Sequence, residues 1–332
     1  MSPISPLKIS LFALLLSSGT LFGQLFSFEK NEAGQIDSAN VNNDDVSTKA
    51  LKEVAEIKSL KYLTLGWGPE GVDLEKGALS VLVGCQLLED LHLAKHHLSD
   101  EDLEVLPKLK MLKALWIEGN DIVLVGSETN GLTDKCMETL GALEQLESLV
   151  IRGTGDFSDD FARKISALPQ LTTLEISSDR FSDRALEAIA ANPRLKKLSI
   201  RSPRLTDRGV QALARMQTLE ELEIDSPLLT KQSLPAIAPL TGLKVLDLPI
   251  KEVDREALAV VAGWKTMHRL ILRRAEIGDD QFEALRGHPA LRILFLERSK
   301  LTEKSAAVLQ SLSALEYAEF GKQSWIRKIN KK

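Results

Sequence analysis

The chain has 332 residues, 44% apolar and 27% charged, with a formal charge of −5. This is the profile of a soluble folded protein, and it argues against the basic face that nucleic-acid binding requires. Two cysteines, Cys85 and Cys136, are too few for a disulfide framework and have no zinc-ligand spacing.

Residues 1–26 differ in character from the rest. Lys8 precedes the apolar run Ile9–Leu16, small and polar residues fill Ser17–Thr20, and a second apolar stretch runs to Phe28. A basic start, a short apolar run and a small-residue region predict a signal peptide. An uncleaved anchor is the other reading, in which this segment alone would touch a membrane. Nothing after residue 30 is apolar for long enough to cross a bilayer. The expected location is outside the cytoplasm: periplasmic, cell-surface or secreted.

Residues 27–59 read as a linker and a degenerate capping repeat. Ile36, Ala39 and Val41 fall 24 residues before Leu60, Leu63 and Leu65. Val46-Ser47-Thr48 carries a helix-capping signal, which predicts a helix over about residues 48–58. Residues 60–321 repeat the pattern LxxLxL, starting at Leu60, Leu88, Leu112, Leu146, Leu171, Leu195, Leu219, Leu243, Met267, Leu291 and, weakly, Leu315; from Leu171 every interval is 24 residues. The alternating positions suit a short strand buried on one side. Ten residues after most starts comes an apolar residue, usually followed by Ser or Thr and then an acid, as in Leu205-Thr206-Asp207. The hydroxyl there is an N-cap signal. Prolines such as Pro169, Pro193 and Pro289 stop the helix before the next unit. Each unit is strand, turn, helix and turn, and it buries its apolar side only by stacking on neighbours. The same register sets Cys85 and Cys136 two coils apart, too far for a bridge. Residues 322–332 form a basic tail, expected to be a solvated terminus.

These units resemble the leucine-rich-repeat family over roughly residues 36–320. They are most similar to its ribonuclease-inhibitor-like and cysteine-containing subtypes, and to bacterial exported members. Leu205-Thr206-Asp207-Arg208-Gly209-Val210 matches the L-T-D-x-G-L signature closely. The resemblance implies an α/β solenoid, a curved horseshoe with a parallel β-sheet on its concave face and α-helices on its convex face. It departs from the family at the ninth position, where the usual Asn or Cys appears only as Asn120. That leaves the usual side-chain ladder along the turn in doubt.

On the concave face the sequence predicts three zones. The first combines Tyr62, His92 and Trp116 with two insertions, one around Trp67 and one between Asn120 and Leu132. Insertions in solenoids gather on one face, and exposed Trp and Tyr are frequent interface anchors. The second zone is acidic: Glu221, Glu223, Asp225 and Asp247. The third sets Ile271, Ile293, Phe295 and Tyr317 among Arg269 and Arg273, an interface-like composition. No phosphate loop, nucleophile elbow or zincin motif is present in the sequence. His92, His96 and His97 cluster, but only His92 would face the sheet, so neither a metal nor another cofactor is expected. The expectation is a non-catalytic scaffold that binds a protein or a glycan. A structural role in a cell-surface complex is the alternative, and an intracellular ubiquitin-ligase-type adaptor is a third.

Overall fold

The computed structural model describes residues 26–41, 48–66, 74–94, 98–119, 131–153, 155–321 and 323–326. The expected leader and Trp67 lie outside the described residues, as do His96, His97 and nearly all of the second insertion. The chain divides into two compact units, residues 1–155 and 156–332.

The first unit opens with an antiparallel hairpin, β1 (Phe26–Lys30) and β2 (Ile36–Val41), in which Phe28 faces Ala39 across the ladder. The Asn31 side chain closes the turn by accepting the N–H groups of Ala33 and Gln35, both at 3.0 Å. From β2 onward pairing is parallel. Ser38, Ala39 and Asn40 register with Tyr62, Leu63 and Thr64 of β3 (Tyr62–Leu65), so the 24-residue offset read from sequence is a strand register. β4 (Asp90–Ala94), β5 (Ala114–Glu118) and β6 (Ser148–Arg152) follow. The return segments are a helix at Thr48–Ala55, 3-10 helices at Ala78–Gly84 and Asp100–Lys108, and a helix at Met137–Gly141. The tighter 3-10 winding of the middle two departs from the expected α-helix. In one, Pro107 removes a backbone donor before the chain must turn.

The second unit keeps one register throughout. β7 (Thr173–Ser177), β8 (Lys197–Arg201), β9 (Glu221–Asp225), β10 (Val245–Leu248), β11 (Arg269–Leu272), β12 (Ile293–Leu296) and β13 (Tyr317–Phe320) pair in parallel. Within the tail expected to be solvated, Gln323–Ile326 form β14, antiparallel to β13, while residues 327–332 lie outside the described residues. That strand satisfies main-chain groups that β13 would otherwise leave open. Leucines of the LxxLxL pattern are fully buried here, for example Leu195, Leu198, Leu222 and Leu246, each with 0% exposure.

Polar ladders fix how one coil sits on the next. At Thr133, Ser182, Thr206, Thr230 and Thr302 the capping hydroxyl accepts an N–H two residues on and also reaches the preceding coil. Thr206 donates its N–H and hydroxyl to the Asp183 carboxylate at 2.8 and 2.7 Å. Ser182 on Asp159 and Thr302 on Asp279 repeat this arrangement, and Thr133 on Asp100 does so in the first unit. Hydrogen bonds from Ser305 and Thr302 hold the Asp279 carboxyl down at about 2. Gly209 belongs to this rung, because a Cβ there would lie 2.5 Å from Asp183 Oδ1.

A second ladder corrects the doubt over the ninth position. Ser178, Ser202 and Ser226 stand one residue earlier, buried, and each hydroxyl donates at 2.7 Å to a carbonyl of the preceding coil, those of Phe157, Phe181 and Leu205. Each also accepts the N–H two residues ahead. Serine is short enough to do both within the turn.

Candidate binding surface

In the first unit, the face of the sheet turned away from the core carries Thr64, His92, Trp116 and Val150 in one row. The His92 ring stacks on Trp116 at a centroid distance of 4.8 Å and an interplanar angle of 23°. From β6, the Arg152 guanidinium lies over the same indole at 5.4 Å, fixed by Glu118 at 2.8 Å. His92 Nε2 is 3.1 Å from Asp90 Oδ1. Trp116 is therefore flanked by neighbours from both adjacent strands and has much less free ring face to offer than the sequence suggests. Tyr62, 46% exposed, stands at the start of β3 opposite Asp90.

In the second unit, Arg273 follows β11 but turns back towards β10 and β9. Its Nε donates to Asp247 Oδ1 at 2.8 Å, and its terminal nitrogens lie 3.6 Å from Glu223 and 3.8 Å from Asp225. Arg201 also meets Asp225, and Lys197 meets Glu221. Burial pushes the Asp247 carboxyl up to about 6 against the lowering pull of Arg273, with Glu223 and Asp225 adding to the rise. Ile271, Ile293, Phe295 and Tyr317 lie beside this cluster, half-buried. The Phe295 and Tyr317 rings are 5.3 Å apart and tilted by 45°, and the Tyr317 hydroxyl donates to Glu319 at 2.7 Å. Arg269 is exposed at the start of β11, in register with Val245 and Ile293.

No family model and no curated protein matches the sequence. Among solved structures, an internalin from Listeria monocytogenes is similar, with a TM-score of 0.52 and 16% identity over 96% of this chain and 95% of that one. This chain has the leucine-rich-repeat fold. A PEPR1–AtPEP1 structure gives a TM-score of 0.40 at 17% identity, covering 90% of this chain and 47% of that one.

Of the residues singled out from sequence, the leucine-rich-repeat coils bring His92 and Trp116 together in one unit, and Ile271, Arg273, Phe295 and Tyr317 in the other. Arg273 is engaged by carboxylates of its own sheet, which the sequence reading did not foresee. Among the described residues no three His, Cys, Asp or Glu side chains are grouped to hold a metal. Both cysteines are buried free thiols, pushed up by burial to about 11 for Cys85 and about 12 for Cys136. No helix of the described residues is long and apolar enough to cross a membrane.

Sequence reasoning missed Leu87 and Met111, which are 45% and 42% exposed. Each immediately precedes the first leucine of a repeat. Ser59, Thr218 and Thr266 hold that position elsewhere, and their hydroxyls donate to carbonyls of the preceding coil. Aligning the residue before each LxxLxL start reveals the exchange of hydroxyl for apolar side chain.

Proposed function

We propose that this chain is an exported, non-catalytic scaffold that recognises a protein partner through the open face of its sheet. One observation carries the reading. In the second unit, carboxylates and their cations occupy the face of β9 and β10, whereas Ile271, Ile293, Phe295 and Tyr317 interrupt the charge with half-exposed apolar surface. An apolar centre with a charged rim is the composition of a recognition surface. Export rests on the leader pattern at Lys8 and Ile9–Leu16. The Trp116 stack provides a second, more rigid group on the open face of the first unit.

Crosslinking after affinity capture tests this reading, using the protein beside Phe295→Ala and Trp116→Ala variants. Arg208→Ala, at a helix position with 82% side-chain exposure, is the control. A partner crosslinked to the open face should be lost from the Phe295 variant and retained by the control. Equal capture by all baits overturns the open-face reading, and a protected glycan in place of a protein changes the ligand class.

A further inference from the structure

We infer a second recognition surface, on the strand-entry edge of the first unit, that takes an acidic, apolar peptide segment of a protein partner. Leu87 and Met111 hold equivalent positions in consecutive coils, joined by the main-chain bond from Lys113 N–H to Glu89 O at 2.8 Å. Neighbouring coils are about 5 Å apart, so the two side chains form one exposed apolar pair. Beside Met111 an open slot of about 490 Å³ runs between its turn and residues 142–145. Pro107, Leu109, Leu112 and Leu143 supply its apolar lining.

Charge selects the occupant. Lys61 and Lys113 share one carboxylate, Glu89, at 2.9 and 2.8 Å. Their hydrogen bonds hold Glu89 below the usual carboxylate range, so it stays ionised, and Asp37 beside Lys61 and Glu147 beside Lys113 offset the remaining positive charge of this row. Lys108 and Lys110 are exposed at the turn that carries Met111, with no ion-pair partner among the described residues. Glu144 lies on the far wall of the slot and opposes them in part. At the turn that carries Met111 the local balance is cationic, Lys108 and Lys110 against Glu144, on a chain whose formal charge is −5. A peptide that buries two apolar side chains on Leu87 and Met111 and sets Asp or Glu against Lys108 and Lys110 fits both features.

The test uses the full chain and a random dodecapeptide library displayed on phage, with affinities of enriched peptides read by fluorescence polarisation. The variant Leu87→Thr, Met111→Thr is suited to the fold, because Thr218 and Thr266 hold the same position in the second unit. Its thermal midpoint is measured alongside and is expected to match wild type. Enriched peptides should combine apolar residues with Asp or Glu and bind the double variant at least about tenfold more weakly. Lys110→Glu should weaken them further, as should added salt. Phe295→Ala should leave them unaffected, which separates this surface from the open face. Enrichment without acidic residues, or equal binding by the double variant, overturns the inference. Anionic vesicles of phosphatidylglycerol that bind wild type but not the double variant overturn it in favour of lipid. Self-association abolished by the double variant overturns it in favour of a second copy.

Discussion

The two units carry the same leucine pattern but differ in how their coils are joined. In the second, Asp159, Asp183, Asp207 and Asp279 each receive a hydroxyl from a coil further on, and buried serines bind the turns. In the first, the aspartate rung is drawn once among the described residues, between Asp100 and Thr133, and 3-10 segments replace helices in two coils. Leucines bury the core in both. The even spacing of the second unit coincides with short polar side chains that tie each coil to its neighbour. Apolar stacking is non-directional, whereas a hydrogen bond fixes distance and angle.

The sharpest way to break this contrast is to remove a rung. Asp183→Ala takes away the acceptor of both Thr206 bonds, and charge-assisted bonds of this kind contribute roughly 1.5–3 kcal/mol each before solvent screening. Urea unfolding should show a loss of about 2–3 kcal/mol; a loss within experimental error would show that the leucines alone set the spacing. Gly209→Ala places a methyl group against the same carboxylate and should cost about 1–3 kcal/mol through overpacking. Ser202→Ala leaves the Phe181 carbonyl and the Arg204 N–H without their buried partner, so a loss of about 1–2 kcal/mol is expected.

His288 sharpens the comparison by pH. Its Nδ1 accepts the N–H groups of Ala290 and Leu291, and Nε2 meets the Trp264 carbonyl at 3.0 Å. Burial lowers its pKa below 6.5, so the unfolded chain binds the proton more readily than the folded one. The neutral ring's contribution is therefore complete above about pH 6.5 and is lost as pH falls below that value. Asn192 makes the equivalent set of bonds four 24-residue repeats earlier in the same unit. His288→Asn should match wild-type stability at pH 7.5 within about 1 kcal/mol and overtake it at pH 5.5. An unchanged gap at the two pH values would show that the imidazole stays neutral throughout. The smallest effect belongs to Leu87→Thr alone, expected to shift stability by less than about 0.5 kcal/mol.

The fold was legible because LxxLxL at constant spacing leaves few other ways to bury its leucines. The aspartate rungs were half legible: Thr206-Asp207 reads correctly as a cap, but nothing local says that Thr206 also reaches Asp183. Pairing across 23 residues is a property of the stack. The open-face row was legible for the same reason as the strands, since alternation assigns Trp116 and Phe295 to one side. What alternation does not encode is side-chain direction. Arg273 turns back onto Asp247, and Arg152 covers Trp116, because each finds a partner on an adjacent strand. Leu87 and Met111 went unnoticed because a lone apolar residue in a turn carries no periodic signal.

The serine and aspartate rungs also make length an adjustable quantity. If residues 195–218 were excised, Ser226 would fall above the Phe181 carbonyl and Thr230 above Asp183, the partners that Ser202 and Thr206 have now. The bonds severed at these two rungs find chemically identical replacements, so the cut leaves no orphaned donor there, although the Arg215 and Thr218 bonds to the preceding coil are lost with the segment. A gene encoding such a chain can drift by whole multiples of this unit, shortening or extending the protein while each surviving coil still meets the surface it was built to meet.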